Sequence, residues 1–345
     1  MTASKSEALL ELQGISKRFV QRADVAEKLT AKLTGNGKGA DRVVHAVDHV
    51  DLAIRRGEVV GLVGESGCGK STLGRVITGI HPSTEGVMRW KGKTESEMTG
   101  EERHAMRLAV QMIFQDPMSS LNPRKQVRDI IGEAPLAHGL IKKDDIDSYV
   151  EQVMQRVGLD PTYKMRYPHQ FSGGQRARIG IARALAVQPE FLVCDESVAA
   201  LDVSIQAQVI NLFMKLCHEL NLTFLFISHD LGVVQHISDR VVIMYLGRVV
   251  EVAPTEELFK APNHPYTKGL LSEIPRIATQ PREFVPIKGE IPSPLHPPSG
   301  CHFHPRCPYA MDRCKTERPV LKQIGTNRWS ACHLNDADNK PAGNA

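Results

Sequence analysis

Gly64-Glu65-Ser66-Gly67-Cys68-Gly69-Lys70-Ser71 is the stretch that decides how the rest of this chain reads. It fits G-x-x-x-x-G-K-[ST], a loop whose backbone N–H groups cradle phosphates. Ahead of it, Glu58-Val59-Val60-Gly61-Leu62-Val63 is a short apolar run with the character of a buried strand. Behind it, Leu73, Val76, Ile77 and Ile80 recur at helical spacing and predict a helix with one buried face. The loop therefore falls between a strand and a helix N-terminus, where glycine freedom and the helix dipole favour an anion. Gly64, Glu65, Ser66, Gly67, Cys68, Gly69 and Thr72 are expected to surround a nucleotide's phosphates. Lys70 would reach the β- and γ-phosphates, and the Ser71 hydroxyl would ligate Mg²⁺.

A phosphate loop needs a carboxylate partner. Phe191-Leu192-Val193-Cys194-Asp195-Glu196 is an apolar strand ending in two of them. Asp195 is the candidate magnesium carboxylate and Glu196 the candidate general base on the attacking water. Gln115 follows the run Ala109-Val110-Gln111-Met112-Ile113-Phe114, and His229 follows the run at 223–228. Either could serve the γ-phosphate or Mg²⁺; either could equally be a satisfied strand-end residue. Strands alternating with helices argue for an α/β core with a mainly parallel sheet, whose ligands collect at the carboxyl ends of the strands. Lys70, Gln115, Asp195 and His229 all fall there on this reading.

Ser172-Gly173-Gly174-Gln175 opens a helix running to about residue 187 and makes a second anion cradle. One γ-phosphate does not need two cradles from a single subunit. The pair makes sense if two subunits face each other and each lends its Ser-Gly-Gly turn to the other's nucleotide, a two-fold arrangement.

The chain has 345 residues, with 41% hydrophobic, 24% charged and a formal net charge of +4. This suits one large domain and a smaller one, and does not argue for nucleic acid as a partner. Only 5% of residues are aromatic, so stacking platforms for single strands are also lacking. No apolar run approaches the roughly 18–20 residues of a membrane span, and Met1-Thr2-Ala3-Ser4-Lys5-Ser6-Glu7 lacks a signal peptide's apolar core. The expectation is a cytosolic chain whose membrane role comes through partners. Residues 21–41 read as a basic, glycine-containing mobile loop between strands at 9–20 and 43–54. An all-helical insert at about 116–180, broken by Pro123, Pro135 and Pro161, separates two parallel-strand regions. Residues 241–245 and 248–252 flank Leu246-Gly247 as a hairpin. Beyond about 255, prolines become dense and periodicity fades, which places a boundary between residues 1–255 and 256–345.

The order of these motifs, with Leu201-Asp202 after the carboxylates, resembles the nucleotide-binding subunit of ATP-binding-cassette (ABC) transporters across about 9–255. The resemblance implies a P-loop NTPase fold: a RecA-like core with an antiparallel β subdomain and a helical insert. It implies that Lys70, Ser71 and neighbouring amides hold ATP. Gln115 links Mg²⁺ to the insert, and Ser172, Gly173, Gly174 and Gln175 complete the opposite subunit's site. Asp195 and Glu196 are the magnesium and catalytic carboxylates, Asp202 lies in the loop joining the two sites, and His229 is the switch histidine. Phe19 falls where an aromatic stacks on adenine. Two departures are visible. Ser197-Val198-Ala199-Ala200-Leu201-Asp202 lacks the usual proline and serine hydroxyl, and Phe171 replaces a commoner leucine.

Gln115-Asp116-Pro117-Met118-Ser119-Ser120-Leu121-Asn122-Pro123-Arg124, His264-Pro265-Tyr266-Thr267 and the cysteine-bearing end narrow the resemblance to the oligopeptide/dipeptide/nickel importer branch. That implies an ATPase that powers peptide import at the cytoplasmic face of the inner membrane. Its implied partners are two transmembrane permease subunits, a second ATPase subunit, identical or homologous, and indirectly a substrate-binding protein. Import of nickel or another small peptide-like solute, and a soluble non-transport ABC ATPase, are the alternatives. The late cysteines are spaced C-x5-C-x6-C-x17-C at Cys301, Cys307, Cys314 and Cys332. Four thiolates suit a [4Fe–4S] cluster, which the branch resemblance implies for some members; Zn²⁺, free thiols and a disulfide stay open. A metal there would act as a staple for a small Cys-rich C-terminal domain.

Overall fold

A computed structural model describes residues 8–21, 42–116, 120–199, 201–273 and 287–336. The basic loop read at 21–41 lies almost wholly outside the described residues. So does Ala200, in the loop after Glu196.

The chain opens with β1 (Ala8–Gln21) and β2 (Arg42–Arg55), a long antiparallel pair. β3 (Val59–Val63) is buried at all five positions and leads into the phosphate loop and α1 (Lys70–Ile77). β4 (Glu85–Trp90) and β5 (Lys93–Thr94) complete a four-stranded antiparallel sheet in the order β2-β1-β4-β5. α2 (Gly100–Ala109) starts at a capping box in which the Thr99 hydroxyl accepts from the Glu102 N–H. β6 (Val110–Ile113) then enters the main sheet.

The insert follows as α3 (Val127–Ala137), α4 (Ile146–Arg156) and α5 (Gly173–Leu185), with short 3₁₀ turns between them. Next come β7 (Phe191–Asp195), α6 (Val203–Leu220), β8 (Thr223–Ser228), α7 (Leu231–Ile237), β9 (Arg240–Tyr245) and β10 (Arg248–Pro254). α8 (Thr255–Lys260), α9 (Pro265–Ser272), α10 (Asp312–Thr316), β11 (Lys322–Gly325) and β12 (Arg328–Ser330) make the C-terminal segment. The main sheet runs β11-β12-β10-β9-β3-β8-β7-β6. Its centre, β9 through β6, is parallel, and β10, β12 and β11 add an antiparallel edge. Among the described residues no helix is long and apolar enough to cross a membrane.

Each central strand is apolar on both faces because helices cover both sides. One core packs the insert and α6 against β7 and β8. The other joins the antiparallel sheet to α1 and the opposite sheet face. α6 buries Val209, Leu212, Phe213 and Leu216 and ends on Asn221, at φ +49°. α1 packs close because Gly74 leaves room for Ile227 and Val193, whose methyls would lie 2.9 and 3.0 Å from an added Cβ.

Two sequence expectations need correction. Ile80 does not extend the buried face of α1: the helix stops at Ile77, Gly79 takes φ +72°, and Ile80 is exposed. Pro135 does not break the insert helix, because it sits in the last turn of α3, which runs on to Ala137. The change of composition near 255 is not a break in the sheet. β12 pairs with β10, so the proline- and cysteine-rich segment shares the main sheet.

That segment is anchored by a buried histidine. The His264 ring accepts from the Tyr266 N–H at Nδ1, 3.1 Å away, which caps α9. Burial pushes its pKa down from 6.5 to about 3, with Lys268 adding repulsion and the Ala331 carbonyl opposing the shift. Below about pH 6.5 the unfolded chain takes up a proton that the folded ring refuses, so stability falls as pH falls toward that lowered value. Unfolding by urea at pH 7 and pH 5 should show a loss of about 2 kcal/mol from this residue. His264→Gln should remove that part of the pH slope.

Candidate active site

The site is assembled at the carboxyl ends of β3, β6, β7 and β8, which lie side by side in the order β3-β8-β7-β6. β3 delivers the phosphate loop. Gly64 and Gly69 are required there: an added Cβ would come within 2.1 Å of the Met244 and Ala46 carbonyls respectively, and Gly69 sits at φ +105°. Cys68 is buried beneath the loop, which pushes its thiol pKa up; Lys70 opposes this from 3.9 Å. Ser66 and Gly67 are exposed at the loop's tip, and Thr72 is half-buried in the first turn of α1.

Lys70 is 4% exposed and its Nζ donates to the carbonyls of Gly64 at 2.7 Å and Glu65 at 3.0 Å. The ammonium is thus parked on its own loop, one side-chain swing from where phosphates would lie. The Ser71 hydroxyl donates to Asp195 Oδ1 at 2.7 Å. Asp195 is 1% exposed, its other carboxylate oxygen has no hydrogen-bond partner, and burial raises its pKa against the pull of Ser71 and Arg75. An orphaned buried carboxylate oxygen beside a serine hydroxyl fits a hard divalent cation such as Mg²⁺, which takes oxygen ligands and offsets the desolvation.

Glu196 has φ +44°, an uncommon left-handed position for a non-glycine residue. Its N–H donates to the Ile227 carbonyl at 3.0 Å, which fixes β7's end against β8. Its Oε2 accepts from Gln115 Nε2 at 2.8 Å and lies 3.4 Å from His229 Nδ1. Three residues far apart in sequence, Ser71, Gln115 and His229, therefore converge on one carboxylate pair.

Ser172 caps α5: its hydroxyl accepts from the Gln175 N–H at 3.3 Å, and Gln175 Oε1 accepts from the Ser172 N–H at 3.0 Å. These hydrogen bonds run within the turn itself, and Ser172 and Gly173 face outward. Gly174 faces inward, where an added Cβ would meet Ile205 at 2.5 Å. Asp202 stands at the N-cap of α6 without a side-chain cap bond. Phe19 meets His81 edge-on at 5.3 Å and carries Lys17 over its ring at 5.0 Å.

The sequence reading passed over the neighbours of Glu65. Its carboxylate takes both terminal nitrogens of Arg306, at 2.7 and 2.9 Å, across 241 positions. Its N–H donates to the Tyr266 hydroxyl at 2.9 Å, across 201 positions. Only a pattern linking the loop to residues 266 and 306 could have found these contacts, and no spacing rule supplies one.

Cys301, Cys307, Cys314 and Cys332 line one small cavity with Phe303 and His304. All four are free thiols. Burial pushes Cys301 up to about 11 and Cys332 up to about 12, against backbone N–H groups that favour the thiolate. The donor chemistry suits a soft metal or an iron–sulfur group. Among the described residues, however, no three His, Cys, Asp or Glu side chains stand as a set ready to hold a metal ion.

Residues 47–199 match the family model described as ABC transporter, and residues 250–314 match that of the oligopeptide/dipeptide transporter C-terminal region. The oligopeptide transport ATP-binding protein AppF of Bacillus subtilis is 48% identical over 97% of this chain and 99% of its own length. The di/tripeptide transport ATP-binding protein DppF of Pseudomonas aeruginosa is 47% identical over 84% and 90%. Among solved structures, cbiO1 of Clostridium perfringens, part of the ABC transporter complex cbiONQ, superimposes with a TM-score of 0.59. It is 25% identical and the match covers 74% of this chain and 92% of that one. With the phosphate loop, both carboxylates and the insert in place, the chain belongs to the ATP-binding subunits of ABC transporters and is an ATPase of the oligopeptide/dipeptide branch.

Proposed function

We propose that this ATPase powers import of di- or oligopeptides through two membrane permease subunits, bound peripherally on the cytoplasmic face of the inner membrane. A second ATPase subunit completes its sites. The observation that carries the reading is likeness to peptide-transport relatives along nearly the whole chain, C-terminal segment included. A soluble cassette acting on nucleic acid would share the first 250 residues and has no reason to share the rest.

In this mechanism Lys70 leaves the Gly64 and Glu65 carbonyls for the β- and γ-phosphates of ATP, and the loop's N–H groups take the remaining oxygens. Phe19 stacks on the adenine. Ser71 and Asp195 would hold Mg²⁺, with Gln115 beside them, and the bound ion would supply neutralisation of the phosphate charge. Glu196 accepts a hydrogen bond from Gln115 at rest, with His229 Nδ1 3.4 Å away, and is aimed to orient water in line with the γ-phosphate. His229 donates toward that phosphate. Ser172, Gly173, Gly174 and Gln175 of the opposite subunit close the pocket, and Asp202 links the two sites. Closing and reopening of the pair moves the permease through the insert after Gln115.

The four-thiol cavity is proposed to hold a [4Fe–4S] cluster, with Zn²⁺ as the other soft-metal reading. No step of hydrolysis depends on it. Support comes from four cysteines sharing one cavity; the lack of a ready ligand set weighs the other way. Purification of the tagged chain from membranes under anaerobic conditions tests both readings. Permease subunits and ATPase stimulated by peptide-loaded binding protein are expected, with iron and sulfide in equal amounts. Co-purification with ribosomes or DNA overturns the transport reading. Metal-free, colourless protein overturns the cluster.

A further inference from the structure

Glu65 is a junction in the phosphate loop. Its carbonyl accepts from Lys70 Nζ, its N–H donates to the Tyr266 hydroxyl, and its carboxylate is forked by Arg306. Both outside partners come from the C-terminal segment, beyond the part that carries the phosphate and magnesium motifs. Neither is a loose surface contact. The Tyr266 side chain is fully buried and the Arg306 side chain is 6% exposed. Arg306 is held in turn by Tyr245, whose hydroxyl lies 3.5 Å from Nη1 and whose ring lies 5.8 Å from the guanidinium carbon. Tyr245, Tyr266 and Phe303 pack as a three-ring cluster, with centroids 4.7 to 5.3 Å apart.

We propose that Arg306 and Tyr266 are positioning residues for ATP hydrolysis, clamping Glu65 so that the backbone of the phosphate loop is held in binding shape while Lys70 stays free to swing to the phosphates. The planar fork matters because a bidentate guanidinium–carboxylate pair fixes both distance and orientation, which one ammonium contact does not. Tyr266 fixes the backbone at the same residue, so the loop's entrance is held at two points. A loop free to shift would have to be ordered by each incoming nucleotide, which weakens binding more than it slows the chemical step.

This rests on reading residues 64–71 as the nucleotide site, and the test separates the two. In the assembled complex, MgATP binding and the KM and kcat of ATPase are compared for wild type, Arg306→Ala, Arg306→Lys, Tyr266→Phe, Glu65→Gln, Glu65→Gln with Arg306→Ala, and Lys70→Ala. Arg306→Ala should raise KM on the order of tenfold with kcat changed less, and the Glu65/Arg306 double variant should be no worse than the larger single effect. Arg306→Lys should recover part of the loss. Tyr266→Phe, which keeps the ring packing, should raise KM by about threefold, so the clamp stays testable if Arg306→Ala fails to fold. A lower melting temperature with unchanged KM, or additive effects at 65 and 306, overturns the clamp. Lys70→Ala binding MgATP as wild type does would instead overturn the nucleotide site itself.

Discussion

Glu196→Gln is expected to leave MgATP binding intact and to cut steady-state ATPase of the assembled complex by roughly 10²-fold or more, the range assigned to a positioned general base. The substitution keeps the shape of a side chain already constrained by a left-handed backbone and by contacts to Gln115 and His229. An amide oxygen can still accept from Gln115. It cannot take a proton from water or stabilise a developing positive charge. Binding should survive because Lys70, Ser71 and Asp195, proposed to meet the phosphates and Mg²⁺, make no hydrogen bond to Glu196, and its charge acts on Asp195 only as a repulsion whose loss does not weaken the site. The measurement is turnover against equilibrium MgATP binding on the same preparation. Turnover within a few-fold of wild type would assign the base elsewhere, with His229 the next group along the same carboxylate.

The strand-end residues of the candidate site were legible because a strand of apolar residues closing on a polar one is a local signal. Val59–Val63 into the loop and Phe191–Asp195 into Glu196 could be read without knowing which strands are neighbours. That Gln115, Glu196 and His229 meet on one oxygen could not, since it depends on sheet order. Ile80 misled because helical spacing continues one turn past the point where Gly79 takes a positive φ and ends the helix. β11 and β12 were missed because strands of four and three residues, mostly polar, carry no period; their pairing is supplied by β10. For the same reason the sequence could not show that the segment beyond the boundary near 255 reaches back, with Arg306 at the phosphate loop and Ala331 donating to the Val250 carbonyl.

Gly173→Asp separates the helix-cap role of the Ser-Gly-Gly turn from its role toward a nucleotide, because the two respond with opposite signs. Within the chain the change is tolerated: a Cβ at Gly173 would meet only Leu201, at 3.6 Å, an ordinary contact. A carboxylate in the first turn of α5 complements the helix dipole, so stability should hold or rise by a few tenths of a kcal/mol. The same carboxylate, facing outward at a turn proposed to meet the opposite subunit's γ-phosphate, sets like charge against like and displaces a backbone donor. ATPase of the complex should fall by roughly 10²-fold, the cost of losing one such donor. MgATP binding to the isolated chain should stay at the wild-type level, because the turn's own hydrogen bonds are internal. A variant that hydrolyses ATP normally would remove the reason for a second subunit in the site. One that loses binding in the isolated chain would place the turn at its own nucleotide, and the two-fold arrangement would have to be replaced by a pocket built from a single copy.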